Sequence, residues 1–335
     1  MRVVFFGTPE FSVPSLQGLL NHPHIDVAAV VTQPDRRRGR GKTLIPSPIK
    51  TLAIAKNLPV LQPARIKKDS DAIEKLESLG ADVFVVVAYG QILSKEILQI
   101  PRLGCVNGHG SLLPHYRGAS PMQRALTDGQ PHTGLVTMLM DEGMDTGPML
   151  LRKETPIKLL DNVQTLGERL SMLSAELLPQ TLLGLEDGTV VPIPQDDDAA
   201  TYAPLIEKSE YILDWAQPAI ALHNQVRGFH PGCHTQWRDS KLKILSTAPI
   251  GDKYWDQLPL EFSVLEHDWP AVKPRIDGMK GGPGTIVDVV KNIGPVVRTG
   301  DGYLLLRQVV PAGKRMQSGW DFANGMRVDV GEVLS

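Results

Sequence analysis

In the stretch CVNGHGSLLPHYRG, residues 105–118, an asparagine and a histidine stand two positions apart at the end of a short apolar run. On a strand, side chains two apart point to the same face, so Asn107 and His109 project together and Gly108 turns away. An amide N–H and an imidazole N–H can both donate to an oxyanion forming at a carbonyl. The imidazole can also carry protons near neutral pH. Pro114 and Gly118 then force the chain into a loop. Strand ends of this kind are where open α/β sheets place their chemistry.

Two further stretches bear on that chemistry. MDEGMDTGPM, residues 140–149, sets Asp141 and Asp145 in Gly-rich turns just after an apolar run. Aspartate favours such turns for structural reasons, because it bonds its own backbone. Either carboxylate could also orient His109 or take a proton through water, and spacing alone leaves both open. From Arg36 to Lys42, five of seven residues are cationic and the other two are glycine. Such a loop suits contact with phosphates. A second basic turn, PAGKRM, carries Lys314 and Arg315. Two basic elements far apart in the chain fit a large polyanionic substrate better than a small one.

The elements that must position these residues read as follows. RVVFF (2–6), DVAAVVT (26–32), a brief strand in LPVLQP, DVFVVVA (82–88), CVNGH and TGLVTMLMD (133–141) are short β-rich runs. Helical patterns lie between them near 12–21, 47–56 and 69–80, and another follows at 162–184. The alternation predicts βαβ units and an open, mainly parallel, Rossmann-like sheet. Beyond about residue 190, short strands divided by Gly and Pro predict a smaller β-barrel. The expected division is a catalytic domain over 1–190, a link over 191–208 and a second domain over 209–335. Residues 249–283, rich in Pro and Gly and carrying Trp255 and Trp269, read as an irregular insertion.

Composition narrows the class. The chain has 335 residues, 42% hydrophobic and 21% charged, with a net charge of -2; these values are those of a soluble globular protein. Two cysteines, Cys105 and Cys233, are too few for a disulfide framework and fit a reducing, cytoplasmic setting. No apolar run approaches the ~18–20 residues that span a bilayer, and no signal peptide precedes the first strand. HPGCH brings His230, Cys233 and His234 together without a second ligand pair, so no metal is expected. There is no G-x-G-x-x-G, no P-loop and no G-x-S-x-G elbow around Ser111. Direct transfer between two bound substrates is therefore favoured over a covalent enzyme intermediate.

Taken in order, GTPEFSVPSL, TQPDRRRGRGK…PSPIK, LQPAR, VVVAYGQILS, GCVNGHGSLLPHYRGASPMQRA and MDEGMDTGPML resemble the 10-formyltetrahydrofolate-dependent formyltransferases. Within that family they are most similar to the branch that formylates methionyl-tRNA. The blocks span most of residues 1–155. The resemblance implies a formyltransferase fold followed by an OB-type barrel that binds tRNA. It also implies transfer of a formyl group from 10-formyltetrahydrofolate to the amino group of methionyl-initiator tRNA, giving N-formylmethionyl-tRNA for translation initiation. Asn107, His109 and Asp145 would form the catalytic set, which favours Asp145 over Asp141. The folate cosubstrate would lie against Ser111, Leu112, Leu113 and Pro114 and against Gly90, Gln91, Ile92 and Leu93. Arg36, Arg37, Arg38, Arg40 and Lys42, with Lys314 and Arg315, would contact tRNA, Arg40 above all. The protein is expected to act as a monomer, away from membranes. Gly108 departs from the family pattern, which has a larger residue there. Rival readings are a formyltransferase for a small amine such as a nucleotide-linked amino sugar, folate hydrolysis without an acceptor, or an inactive RNA-binding relative.

Overall fold

The computed structural model describes residues 1–38 and 43–335, and the chain divides into two compact units. The first comprises Met1–Pro121, His132–Thr155 and Gly167–Pro204; the second comprises Met122–Pro131, Pro156–Leu166 and Leu205–Ser335.

Among the described residues, nine strands fall in the first half: β1 (Arg2–Gly7), β2 (Asp26–Val31), β3 (Arg36–Arg38), β4 (Thr43–Ile45), β5 (Val60–Leu61), β6 (Val83–Val87), β7 (Cys105–His109), β8 (His132–Leu139) and β9 (Met149–Pro156). Seven of them form one sheet in the order β5-β2-β1-β6-β7-β8-β9, and β3 and β4 pair as a separate hairpin. From β5 to β7 every pair is parallel, and β8 runs antiparallel to β7. The order reverses between β1 and β6, the switch point beside which open α/β sheets form ligand crevices.

The run VFVVV of β6 is apolar at every position because both faces of the sheet are covered. Val83, Val85 and Val87 pack with Leu16, Leu19, Leu178 and Leu182 on one side. Phe84 and Val86 pack with Ile73, Leu76 and Ile97 on the other. Each fully buried Val or Phe contributes roughly 1.5–3 kcal/mol of apolar transfer, so this alternation holds the strand register firmly. Two covering helices start where the sequence indicated. Ser47 Oγ accepts from Lys50 N at 3.0 Å, and Asp69 Oδ1 accepts from Ala72 N at 3.0 Å. Such caps each stabilise a helix by about 1 kcal/mol.

In the second unit, β10 (His234–Trp237), β11 (Ser240–Ile250), β12 (Ile286–Val290), β13 (Gly294–Arg298), β14 (Tyr303–Pro311) and β15 (Gln317–Ser318) form an antiparallel sheet. Its order is β10-β11-β14-β13-β12, with β15 on β14. Residues 332–335 bond to both ends of that path. Ile286 N donates to Glu332 O and Leu334 N to Gly284 O, while Gln236 and Ser335 exchange N–H···O bonds. The sheet is thereby closed round a core of Leu222, Trp237, Leu242, Leu304 and Phe322. Closure removes unpaired edges.

Residues 249–283 depart from the irregular insertion read in the sequence. They contain a 15-residue helix, Ser263–Asp277, whose Leu265, Trp269 and Ile276 are buried with Ala248, Ile250, Val296 and Leu305. Pro270 and Pro274 lie inside it. Each proline removes one helical hydrogen bond, but their spacing of four puts both on one stripe, leaving the apolar stripe intact.

Candidate active site

Asn107 and His109 lie on β7, and the loop after β8 brings a carboxylate to them. Asn107 Nδ2 stands 3.4 Å from Asp145 Oδ1, and His109 Nδ1 stands 3.6 Å from Asp145 Oδ2. Gly108 points the other way, toward Ser174 on the helix Val163–Asp187. The strand's period of two thus delivers the amide and the imidazole to one side.

The two aspartates separate cleanly. Asp141 Oδ1 accepts from Gly143 N at 3.0 Å and from Thr146 Oγ1 at 2.7 Å, so its side chain is spent shaping its own turn. Asp145 takes a left-handed backbone conformation, φ +56°, and its Oδ2 accepts from Gly118 N at 2.8 Å. One carboxylate therefore ties the loop after β8 to the loop after β7 and faces the imidazole. Gly147 lets that loop sit tightly, since a Cβ there would stand 1.9 Å from Leu139 O.

His109 is 6% exposed, and its Nε2 lies 3.0 Å from Tyr116 O. A carbonyl only accepts, so Nε2 carries the proton and Nδ1 is turned to Asp145. The sequence suggested that the imidazole N–H is free to serve an oxyanion. Here that N–H is engaged, and Asn107 is the less committed donor, its 3.4 Å contact being long for a hydrogen bond.

The folate candidates divide by role. Ser111 is fully buried and its Oγ donates to His115 O at 2.7 Å; Leu113 is buried and joined to Pro114 by a cis peptide. Leu112 is half-buried beside Leu113, Val136 and Met138. Gln91 is turned inward, accepting from Ile66 N and donating to Pro63 O, so it offers a ligand its backbone only. Leu93 is buried and Ile92 is exposed. Gly90 has φ +81°, and a Cβ on it would stand 2.5 Å from Gln33 Nε2. That amide donates to Tyr89 O and Gly90 O, each at 3.0 Å, and so fixes the turn.

Beside the switch point lies a cleft of about 490 Å³ lined by residues of the β1, β2 and β6 ends, including Thr8, Glu10, Gln33, Ser47, Ala88 and Gly90. Small-molecule sites have volumes of this order. Arg36 rims the cleft and donates to Gln33 Oε1. Arg37 and Arg38 form the outgoing strand of the β3–β4 hairpin, while Arg40 and Lys42 lie outside the described residues. Lys314 and Arg315 are exposed in the turn after β14. In HPGCH, His230 Nδ1 bonds Leu245 O, His234 Nδ1 meets Gly232 O and Cys233 Sγ donates to Gln225 O. Backbone carbonyls occupy all three side chains.

Sequence reading missed Gln33, Arg117 and Gln195. Arg117 is 2% exposed; its Nε and Nη2 donate to Gln195 Oε1 at 3.0 and 2.9 Å, and Nη2 also to Asp197 Oδ1. Gln195 Nε2 in turn donates to the backbone of Asp145 and Gly147. A lone Gln in PIPQDDD carries no local signal of that role.

The family described as "Formyl transferase" matches residues 1–182, and "Formyl transferase, C-terminal domain" matches residues 205–327. The chain belongs to the formyl transferase family. A relative from Trichodesmium erythraeum, named "Methionyl-tRNA formyltransferase", is 56% identical over 333 residues, 99% of this chain and 98% of its own. One of the same name from Synechocystis is 55% identical over 327 residues, 98% of each chain. Among solved structures, an N-formyltransferase from Helicobacter canadensis in complex with folinic acid and dTDP-3-aminofucose matches with a TM-score of 0.62 and 15% identity. The match covers 91% of this chain and 98% of that one, a likeness of fold. No helix among the described residues is long and apolar enough to cross a membrane.

Proposed function

We propose that this family member transfers the formyl group of 10-formyltetrahydrofolate to the α-amino group of methionyl-initiator tRNA, in the cytoplasm. One observation carries the reading: Asn107, His109 and Asp145 meet at the end of β7, in a chain whose relatives of that name match it end to end.

The chemistry needs a neutral amine, a stabilised oxyanion and a place for one proton. The amine attacks the formyl carbon, charge builds on the formyl oxygen, and tetrahydrofolate leaves with its N10. Asn107 donates to that oxygen, and His109 serves it once its Nε2–H is released from Tyr116 O. Asp145 faces the imidazole, receives the amine's proton through water and returns it to N10 as tetrahydrofolate leaves. Losing one such donor typically costs 10²–10³ in rate, about 2.7–4 kcal/mol. Ile92, Leu112 and the backbone at Gly90 offer the apolar and hydrogen-bonding surface for the folate, with Ser111 and the Leu113–Pro114 peptide shaping its loop. The basic run of Arg36, Arg37, Arg38, Arg40 and Lys42, together with Lys314 and Arg315, takes the tRNA backbone.

The deciding assay supplies labelled 10-formyltetrahydrofolate with charged initiator tRNA, charged elongator tRNA, or a nucleotide-linked amino sugar. Label in methionyl-initiator tRNA is expected. Label only in the amino sugar would favour the small-amine reading, and formate release alone would favour hydrolysis.

A further inference from the structure

Residues 193–203 were read as part of the link between domains, yet they bond into the first unit. Met149 and Ile193 exchange backbone hydrogen bonds at 2.8 Å. Tyr116 N donates to Thr201 Oγ1, Arg117 N to Thr201 O, Ala203 N to Arg117 O and Ser120 N to Ala203 O. This strap therefore grips both loops that meet at the site, the one after β7 and the one before β9.

We propose that Gln195, near the start of the strap, is a positioning residue for Asp145 and is itself oriented by the buried guanidinium of Arg117. Its Nε2 donates to Asp145 O at 2.8 Å and to Gly147 O at 2.7 Å, and its Oε1 receives two N–H bonds from Arg117. Both amide protons and the oxygen are used. The partners allow one amide orientation: two carbonyls require the nitrogen and a guanidinium requires the oxygen. The bonds fall on a residue that needs them. Asp145 is held at φ +56° and Tyr116, whose carbonyl engages His109, at φ +61°. Non-glycine residues keep such conformations only when their surroundings over-determine them. Gln195 fixes the first and Thr201 the second, so the strap sets what lies on each side of the imidazole. A displacement of about 1 Å at a reacting group can cost about 10²-fold in rate.

The inference rests on the role given to Asp145 above, and the test separates the two. Gln195→Glu keeps an oxygen for Arg117 and removes both donors to the Asp145 loop; Gln195→Ala removes all four bonds. Rates are measured per folded molecule, beside Asp145→Ala, with the pH profile and melting temperature of each. The expected result for Gln195→Glu is a kcat at least tenfold lower, a KM for the folate within threefold of the parent and a displaced limb in the pH–rate profile. Gln195→Ala is expected to show the same kcat loss with a lower melting temperature, and it reads the proposal if the glutamate variant does not fold. An inactive Asp145→Ala beside Gln195 variants within twofold of the parent kcat would overturn the positioning role alone. Losses that vanish on correction for the folded fraction would do the same. Normal transfer by Asp145→Ala would overturn both.

Discussion

His109 Nδ1 and Asp145 Oδ2 stand 3.6 Å apart, facing each other but beyond hydrogen-bond length. The carboxylate is held from elsewhere, by Gly118 N at 2.8 Å, and the ring by Tyr116 O at 3.0 Å. The pair is thus set by its neighbours rather than by a bond to each other. The carboxylate charge, more than its shape, should then matter. Asp145→Asn can still accept from Gly118 N, so it should fold with a melting temperature within about 3 °C of the parent. Its kcat is expected to fall by about 10²–10³. Single-turnover formyl transfer measures this, and a rate within fivefold of the parent would remove the charge from the mechanism.

The second unit should lose stability in mild acid through one histidine. His223, on the helix Ala219–Gly228, is fully buried; its Nε2–H donates to Leu159 O at 2.7 Å and its Nδ1 accepts from Thr247 Oγ1 at 2.9 Å. Burial, with the cations of Arg227 and Arg307 nearby, lowers its pKa from 6.5 to about 3. The unfolded chain therefore binds a proton below pH 6.5 that the folded chain refuses. Stability contributed by the neutral ring is complete above 6.5 and falls as pH drops toward 3, by up to about 1.4 kcal/mol per pH unit. Urea denaturation between pH 7 and 5.5, above the range in which carboxylates take up protons, should show this slope. His223→Gln should flatten it, and an unchanged slope in that variant would assign the effect to another group.

The legible parts of this molecule were those with short-range periodicity. Asn107 and His109 share a face because strands repeat every two residues, and the all-apolar VFVVV announced a strand covered on both sides. The choice between Asp141 and Asp145 was hidden because it turns on one residue's left-handed backbone, which aspartate and its glycine neighbours permit at either position. The Arg117–Gln195 pair was hidden because it joins residues 78 apart. The helix Ser263–Asp277 was obscured by its two prolines, whose cost is met by the burial of Trp269 and its neighbours. Barrel closure by residues 332–335 depends on backbone bonds that no side-chain pattern records.

Both cysteines should be unreactive in the folded protein. Burial pushes each thiol up to about 12, with Cys105 buried on β7 itself and Cys233 donating to Gln225 O. Thiolate, the nucleophilic form, is then scarce at pH 8, and access is closed. Iodoacetamide at pH 8 should leave the native mass unchanged over an hour and add two labels in guanidinium chloride. Rapid native labelling of either residue would show that its segment opens readily.

Gly108 gives the last prediction, because it faces away from the chemistry. An added Cβ would meet Ser174 Oγ at 3.1 Å, Val87 Cγ2 at 3.5 Å and Leu178 Cδ1 at 4.0 Å, with no positive φ to relieve. Ser174 Oγ is itself fixed by a 2.9 Å bond from Ser15 Oγ, both fully buried. Alanine should gain about 0.5–1 kcal/mol from the chain entropy glycine spends, and should lose a similar amount by crowding that hydroxyl pair. In the parent, Gly108→Ala should therefore shift stability little. In a Ser15→Ala/Ser174→Ala background, where the hydroxyls are gone and no buried partner is orphaned, the same substitution should stabilise by about 1 kcal/mol. The kcat of formyl transfer should stay within twofold in both, since Asn107 and His109 project from the opposite face. A tenfold loss in the stabilised background would show that packing behind β7 sets the geometry in front of it.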